Sequence, residues 1–260
     1  MPERAIKCLR VVVGAWLFGW FCKFPFYMPY LFKTVWETPI RSDFFPALLE
    51  NNAVSAFFYI LPALCVPAFF SKKWSLYRLG GWIMLFSAVI LNLHLNTHND
   101  ATFVTSFWVA LWILWFVEAM RKGGPSLERR ACFLAQLTIG MIFLGGAVGK
   151  LTADYLSGDV IYYIFYVQAK TSFLSYFVKS SSFLTQKAIF AMISKFIIGA
   201  EMVLAANFLL PFRVSFYLGL ALMPLLIFFS TWRILSVIGA LLGLLVGCLI
   251  LDRQRNEEFA

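Results

Sequence analysis

Four groups of residues have types and spacing that could do chemistry. The first is Lys150, which ends a glycine-rich apolar stretch, Gly145-Gly146-Ala147-Val148-Gly149-Lys150. A lysine at the edge of a membrane helix is costly unless it snorkels to the headgroups, is paired or is used. A desolvated amine can act as a base near neutral pH, and the glycines allow backbone or ligand to come close. Asp154 and Asp159 follow in sequence, as partners for Lys150 or as substrate contacts.

The second group is the polar turn Asn92 to Asp100, with His94, Asn96, His98 and Asn99. His94 and His98 are four apart and share a face if the helix continues through them. That spacing suits metal ligation, but these are the only two histidines and no cysteine lies nearby, so no metal is expected. The cluster reads either as a helix end meeting water or as hydrogen-bonding groups at the mouth of a ligand chamber.

The third and fourth are Lys195 and Glu201, charges inside one apolar run and therefore functional candidates. Six residues apart, they do not face each other on an ideal helix. Glu201 is expected to pair with another helix, Lys23 being one choice. No GxSxG, Walker A, GxGxxG or HExxH pattern occurs.

These residues must be positioned by membrane helices. The 260-residue chain is 61% hydrophobic with a mean hydropathy of +0.79, more apolar surface than a soluble domain can hide. Its long apolar runs favour helices over a barrel. The expected class is an all-α polytopic membrane bundle, a single domain over 1–260 with no soluble domain. About eight spans are expected: Val11–Phe32, Ala53–Phe70, Gly80–Thr97, Thr102–Ala119, Ala131–Gly149, Ala188–Leu210, Val214–Thr231 and Arg233–Leu251. Segment 151–187 is expected to be re-entrant or interfacial, with tyrosines at the membrane boundary. The five cysteines form no CxxC and read as small buried hydrophobes.

The net charge of +9 resides in short loops rather than on a basic stripe, which excludes nucleic acid. Counting spans, the basic loops around Arg4, Lys72, Arg121, Arg213 and Arg253 fall on one side. That side is cytoplasmic by the positive-inside rule, with both termini on it. His98 and Lys150 then meet on the extracytoplasmic or lumenal side of a bacterial inner membrane or an ER-like membrane.

Gly146-Ala147-Val148-Gly149-Lys150-Leu151-Thr152-Ala153-Asp154-Tyr155-Leu156-Ser157-Gly158 resembles the AGxKKLDADWxxG segment of vitamin K-dependent gamma-glutamyl carboxylases. It also resembles the wider horizontally transferred transmembrane (HTTM) domain family. Lys150 falls on the family's catalytic lysine, Asn96-Thr97-His98 is similar to its NNH motif, and Glu201 with Pro211-Phe212-Arg213 resembles its later helix pair. The chain departs from the family pattern at Leu218 to Pro224, which lacks the family's histidine, and at Gly146-Ala147, where the alanine-glycine order is reversed. The resemblance implies a quinol-dependent enzyme in which Lys150 deprotonates reduced vitamin K or another quinol and His98 stabilises developing charge. His94, Asn96, Asn99, Asp154 and Glu201 would line the quinone site. Molecular oxygen and carbon dioxide would be co-substrates. Membrane lipid, quinone and a separate substrate protein or partner subunit would be its partners. Two non-carboxylase alternatives share the ligand class: a non-enzymatic quinone- or lipid-binding protein and a DoxX-like oxidoreductase subunit.

Overall fold

The computed structural model describes residues 3–25, 51–67, 71–94, 100–123, 126–163, 182–229 and 234–257. The ordered elements among them are all helical. In chain order they are α1 (Glu3–Cys22), α2 (Asn52–Ile60, tightening into a 3-10 turn at Leu61–Cys65), α3 (Trp74–Leu93), α4 (Ala101–Lys122) and α5 (Leu127–Gly149). Then come the short α6 (Ala153–Leu156) and α7 (Asp159–Tyr162), followed by α8 (Phe183–Ala205), α9 (Phe212–Phe229) and α10 (Leu235–Glu257). Seven are long and apolar enough to cross a membrane, which makes the chain an integral membrane protein by length and composition. The span expected over Ala53–Phe70 is the shorter Asn52–Cys65, where Pro62 sits at the start of the 3-10 turn.

Close packing fixes the helix directions. Gly239, Gly243 and Gly247 recur every four residues on α10, presenting bare backbone to α1. A Cβ at Gly243 would collide with Ala15, one at Gly247 with Val12, and one at Gly19 with the backbone of Ser236. As numbers rise on one helix they fall on the other, so α1 and α10 are antiparallel. Gly81 of α3 meets Leu114 of α4 in the same way. Trp112 Nε1 donates to the Ala131 carbonyl (3.0 Å), joining the second half of α4 to the start of α5. Arg213 and Asp252 pair at 3.1 Å, joining the start of α9 to the end of α10. The basic residues at 4–10, 72–78, 121–130 and 213 therefore gather at one end of the bundle, with the start of α1 and the end of α10.

The opposite end is closed by hydrogen bonds and ion pairs. Thr102 and Ser236 hydroxyls meet at 2.7 Å. Trp20 Nε1 donates to the Tyr59 carbonyl and Tyr59 Oη to the Trp20 carbonyl, with the two rings stacked at 5.6 Å. Asp100 caps α4 by accepting from Thr102 N–H at 2.8 Å, and its other oxygen takes Lys23 Nζ at 2.7 Å.

At this end α5 and α8 part. Gly140 rests on Ala205 and Gly146 on Glu201, so they run antiparallel until α5 ends at Gly149. From Glu201 back to its start at Phe183, α8 continues for about 27 Å at 1.5 Å per residue. Helices α6 and α7 pack along that overhang. Part of the segment expected to be re-entrant or interfacial, 151–163 and 182–187, is thus seen as α6, α7 and the start of α8; the rest lies outside the described residues.

Candidate functional site

Lys150 caps the C-terminus of α5, its N–H bonding back to the Ala147 carbonyl at 3.0 Å. Its side chain folds back along the helix. Nζ donates to Glu201 Oε2 (2.8 Å), Glu201 Oε1 (2.9 Å) and the Gly146 carbonyl (3.1 Å). Its three hydrogens thus have three acceptors. The Glu201 side chain is 3% exposed and that of Lys150 is 27% exposed, so the pair has a closed floor and a part-open top.

Gly146 makes this arrangement possible. A Cβ there would stand 3.3 Å from both carboxylate oxygens of Glu201. Gly145 and Gly149, four apart on another face of α5, have open space where a Cβ would be. The chain thus uses one glycine of the cluster to seat an ion pair and leaves two unfilled beside it.

Helices α6 and α7 form the roof. Thr152 Oγ1 accepts from Tyr155 N–H and caps α6. The buried Tyr155 ring sits 6.0 Å from Lys150 Nζ, at the outer limit of a cation–π contact. Burial, and then the Glu201 carboxylate, hold its phenol well above the ordinary tyrosine range, so it stays protonated. The roof is pinned to α8 at Gly158. Its φ of +86° is left-handed, and a Cβ would collide with the backbone of Phe190 and Ala191. Tyr162 packs edge-on against Phe190 (5.6 Å), and Asp159 pairs with Lys187 at 3.0 Å. The Ser157 hydroxyl and Lys187 hold the Asp159 carboxyl below its usual range.

Several expectations change. Glu201 does pair across helices, but its partner is Lys150; Lys23 is taken by Asp100. Neither aspartate after Lys150 binds it: Asp159 holds Lys187, and Asp154 is exposed, offering its carbonyl to Ser157 Oγ at 3.0 Å. The helix expected to reach Thr97 ends at Leu93, and His94 has extended backbone (ψ 138°). The shared helical face expected for His94 and His98 therefore does not exist at His94. His94 is fully buried, its Nε2 3.1 Å from the Asn51 carbonyl. A carbonyl only accepts, so Nε2 carries the hydrogen, and burial holds the imidazole below its ordinary range. Asn96, His98 and Asn99 lie outside the described residues. Lys195 is exposed, about 9 Å along α8 from Glu201 toward the overhang, and does not face the bundle core.

Sequence reasoning predicted neither the place of Tyr155 nor the pairing of Lys23 with Asp100. Tyr155 was one residue of a motif, and its place over Lys150 depends on the turn at Gly158. The Lys23–Asp100 pair had a signal, a lysine inside an apolar run, but its partner is 77 residues away. Among the described residues no group of three or more His, Cys, Asp or Glu side chains could hold a metal. No protein-family model, curated protein or solved structure matches the chain.

Proposed function

We propose that the chain is an integral membrane enzyme that handles a quinol at the Lys150–Glu201 pair. One observation carries the reading: a part-exposed lysine is held over a buried carboxylate at the end of a membrane helix. Shifting one proton along their 2.8 Å hydrogen bond turns the ion pair into a neutral amine and acid. Lys150 in that form can take a phenolic proton and return to an ammonium facing the new oxyanion. The unfilled face at Gly145 and Gly149 fits the approach of a flat apolar ring, and the Tyr155 hydroxyl remains a donor. Oxygen and carbon dioxide as co-substrates, and His98, Asn96 and Asn99 as oxyanion donors, follow from the resemblance to the carboxylase and HTTM families. So does the description as a lyase or oxidoreductase. By the positive-inside rule the basic end faces the cytoplasm, with α2 as the eighth crossing and Lys150 on the extracytoplasmic or lumenal side.

The test compares wild type, Lys150→Ala and Lys150→Ala/Glu201→Gln, reconstituted in liposomes with reduced vitamin K. Oxygen-dependent oxidation should fall on the order of 100-fold in both variants. Equal rates in all three, or none in any, would sink the proposal.

A second reading has its own support. Because Lys150 has as many acceptors as hydrogens, the pair also suits a purely structural role in a non-enzymatic quinone- or lipid-binding protein. That reading expects quinone binding without turnover, and equal binding by the double variant.

A further inference from the structure

At the basic end, away from Lys150, α3 and α4 enclose a surface groove of about 490 Å³. Trp74, Leu79 and Trp82 give it apolar walls, and Arg78, Glu118 and Arg121 bring charge to its edge. Glu118 is already engaged, by Arg121 at 2.8 Å and Lys122 at 3.6 Å. Arg78 is exposed and has no carboxylate within 4 Å among the described residues. The groove's own charges thus leave a positive surplus, and the exposed Lys72 and Lys73 just before α3 add to it.

Along α3 the groove continues as an apolar strip. Leu79, Trp82 and Phe86 are three and four residues apart, so they share one face. They are 55%, 42% and 56% exposed, and the Trp82 and Phe86 rings stack at 5.7 Å. The strip runs about 10 Å from the basic end into the apolar span. A cationic pocket directly above an exposed apolar track matches an amphiphile with an anionic head and a hydrocarbon tail.

We propose that this groove is a binding site for an anionic phospholipid of the leaflet at the basic end. Arg78 and the free donors of Arg121 hold the phosphate, and one acyl chain lies along Leu79, Trp82 and Phe86. The charge surplus selects against zwitterionic headgroups, and the strip selects against a free anion.

The full chain in neutral detergent is titrated with dioleoyl-phosphatidylglycerol, dioleoyl-phosphatidylcholine or inorganic phosphate, and bound species are counted by native mass spectrometry. Phosphatidylglycerol should be retained over phosphatidylcholine. R78Q should weaken it about fivefold and R78Q/R121Q about 25-fold, from the contribution of each basic residue near an anionic surface. W82A should weaken it as well. R129Q/R130Q, at the same end but outside the groove, should have no effect. R78Q breaks no ion pair, so its unfolding midpoint should match wild type. Equal retention of phosphatidylcholine would overturn the proposal, as would the same loss in R129Q/R130Q as in R78Q/R121Q. Full competition by phosphate alone would instead identify a free-anion site and overturn the lipid assignment.

Discussion

The carboxylate of Glu201 lies against the bare backbone of Gly146, each oxygen 3.3 Å from where any other residue would carry a Cβ. The contact seats the acceptor for Lys150 at the last turn of α5. Gly146→Ala should press the carboxylate back by a few tenths of an ångström against its bonds to Lys150 and cost about 1 kcal/mol, the low end of the range for overpacking. Gly145→Ala meets open space and should be neutral, or stabilising by up to about 1 kcal/mol through helix propensity. Unfolding midpoints in detergent, measured side by side, would separate them; equal loss would show that the helix rather than the seat is sensitive.

Removing one member of the Lys150–Glu201 pair should cost more than removing both. Lys150→Met leaves a buried carboxylate without a counter-charge, a loss of about 3–5 kcal/mol. Lys150→Met/Glu201→Gln should recover most of it, because neither buried charge then remains. A double-mutant cycle on thermal unfolding checks this, and additive losses would deny the coupling.

Asp100 does two jobs that substitution can divide. Asp100→Asn keeps an N-cap acceptor for Thr102 N–H and loses the charge opposite Lys23. Asp100→Ala loses both and should be less stable than Asp100→Asn by about 1 kcal/mol, the usual worth of a cap. Lys23→Met in each background tests the ion pair alone.

Stability should fall in mild acid through His94. Burial lowers its folded-state pKa below the ordinary 6.5, so below about that pH the unfolded chain binds a proton more readily than the native one. The contribution is complete above about pH 6.5 and is lost as the pH falls through the lowered folded value. Unfolding midpoints from pH 8 to 5.5 should show the drop in wild type and a shallower one in His94→Gln.

Gly158 should tolerate nothing else. Alanine there meets both a left-handed φ and the backbone of Phe190 and Ala191, so Gly158→Ala should detach the roof from α8. Hydrogen exchange at 153–162 should rise before global unfolding; unchanged protection would show that Tyr162 and Asp159 suffice.

Much of this fold is legible in the sequence, since apolar runs of about 20 residues have few other uses. Lys150 and Glu201 were each visible as charges where charge is costly. Their pairing was not, because 51 residues separate them and only the glycine face of α5 decides which cation meets the carboxylate. The end of α3 is not legible because Leu91 to Thr97 carries neither a glycine nor a proline to stop the helix, whereas the chain turns extended at His94, whose Nε2 meets the Asn51 carbonyl. The roof was least legible: α6 and α7 have four residues each, too few to show a period, and Gly158 holds them through a contact that spacing does not encode.

The overhang of α8 past the end of α5 bears on bilayer thickness. Most helices respond to a thinner or thicker membrane by tilting, at small cost per ångström of mismatch. Here α8 runs on past the point where its neighbour α5 stops, under α6 and α7, and in the proposed topology that point lies at the membrane boundary. A change in thickness therefore moves the water–hydrocarbon boundary across the Lys150–Glu201 layer itself, making lipid chain length a control on how wet that ion pair is.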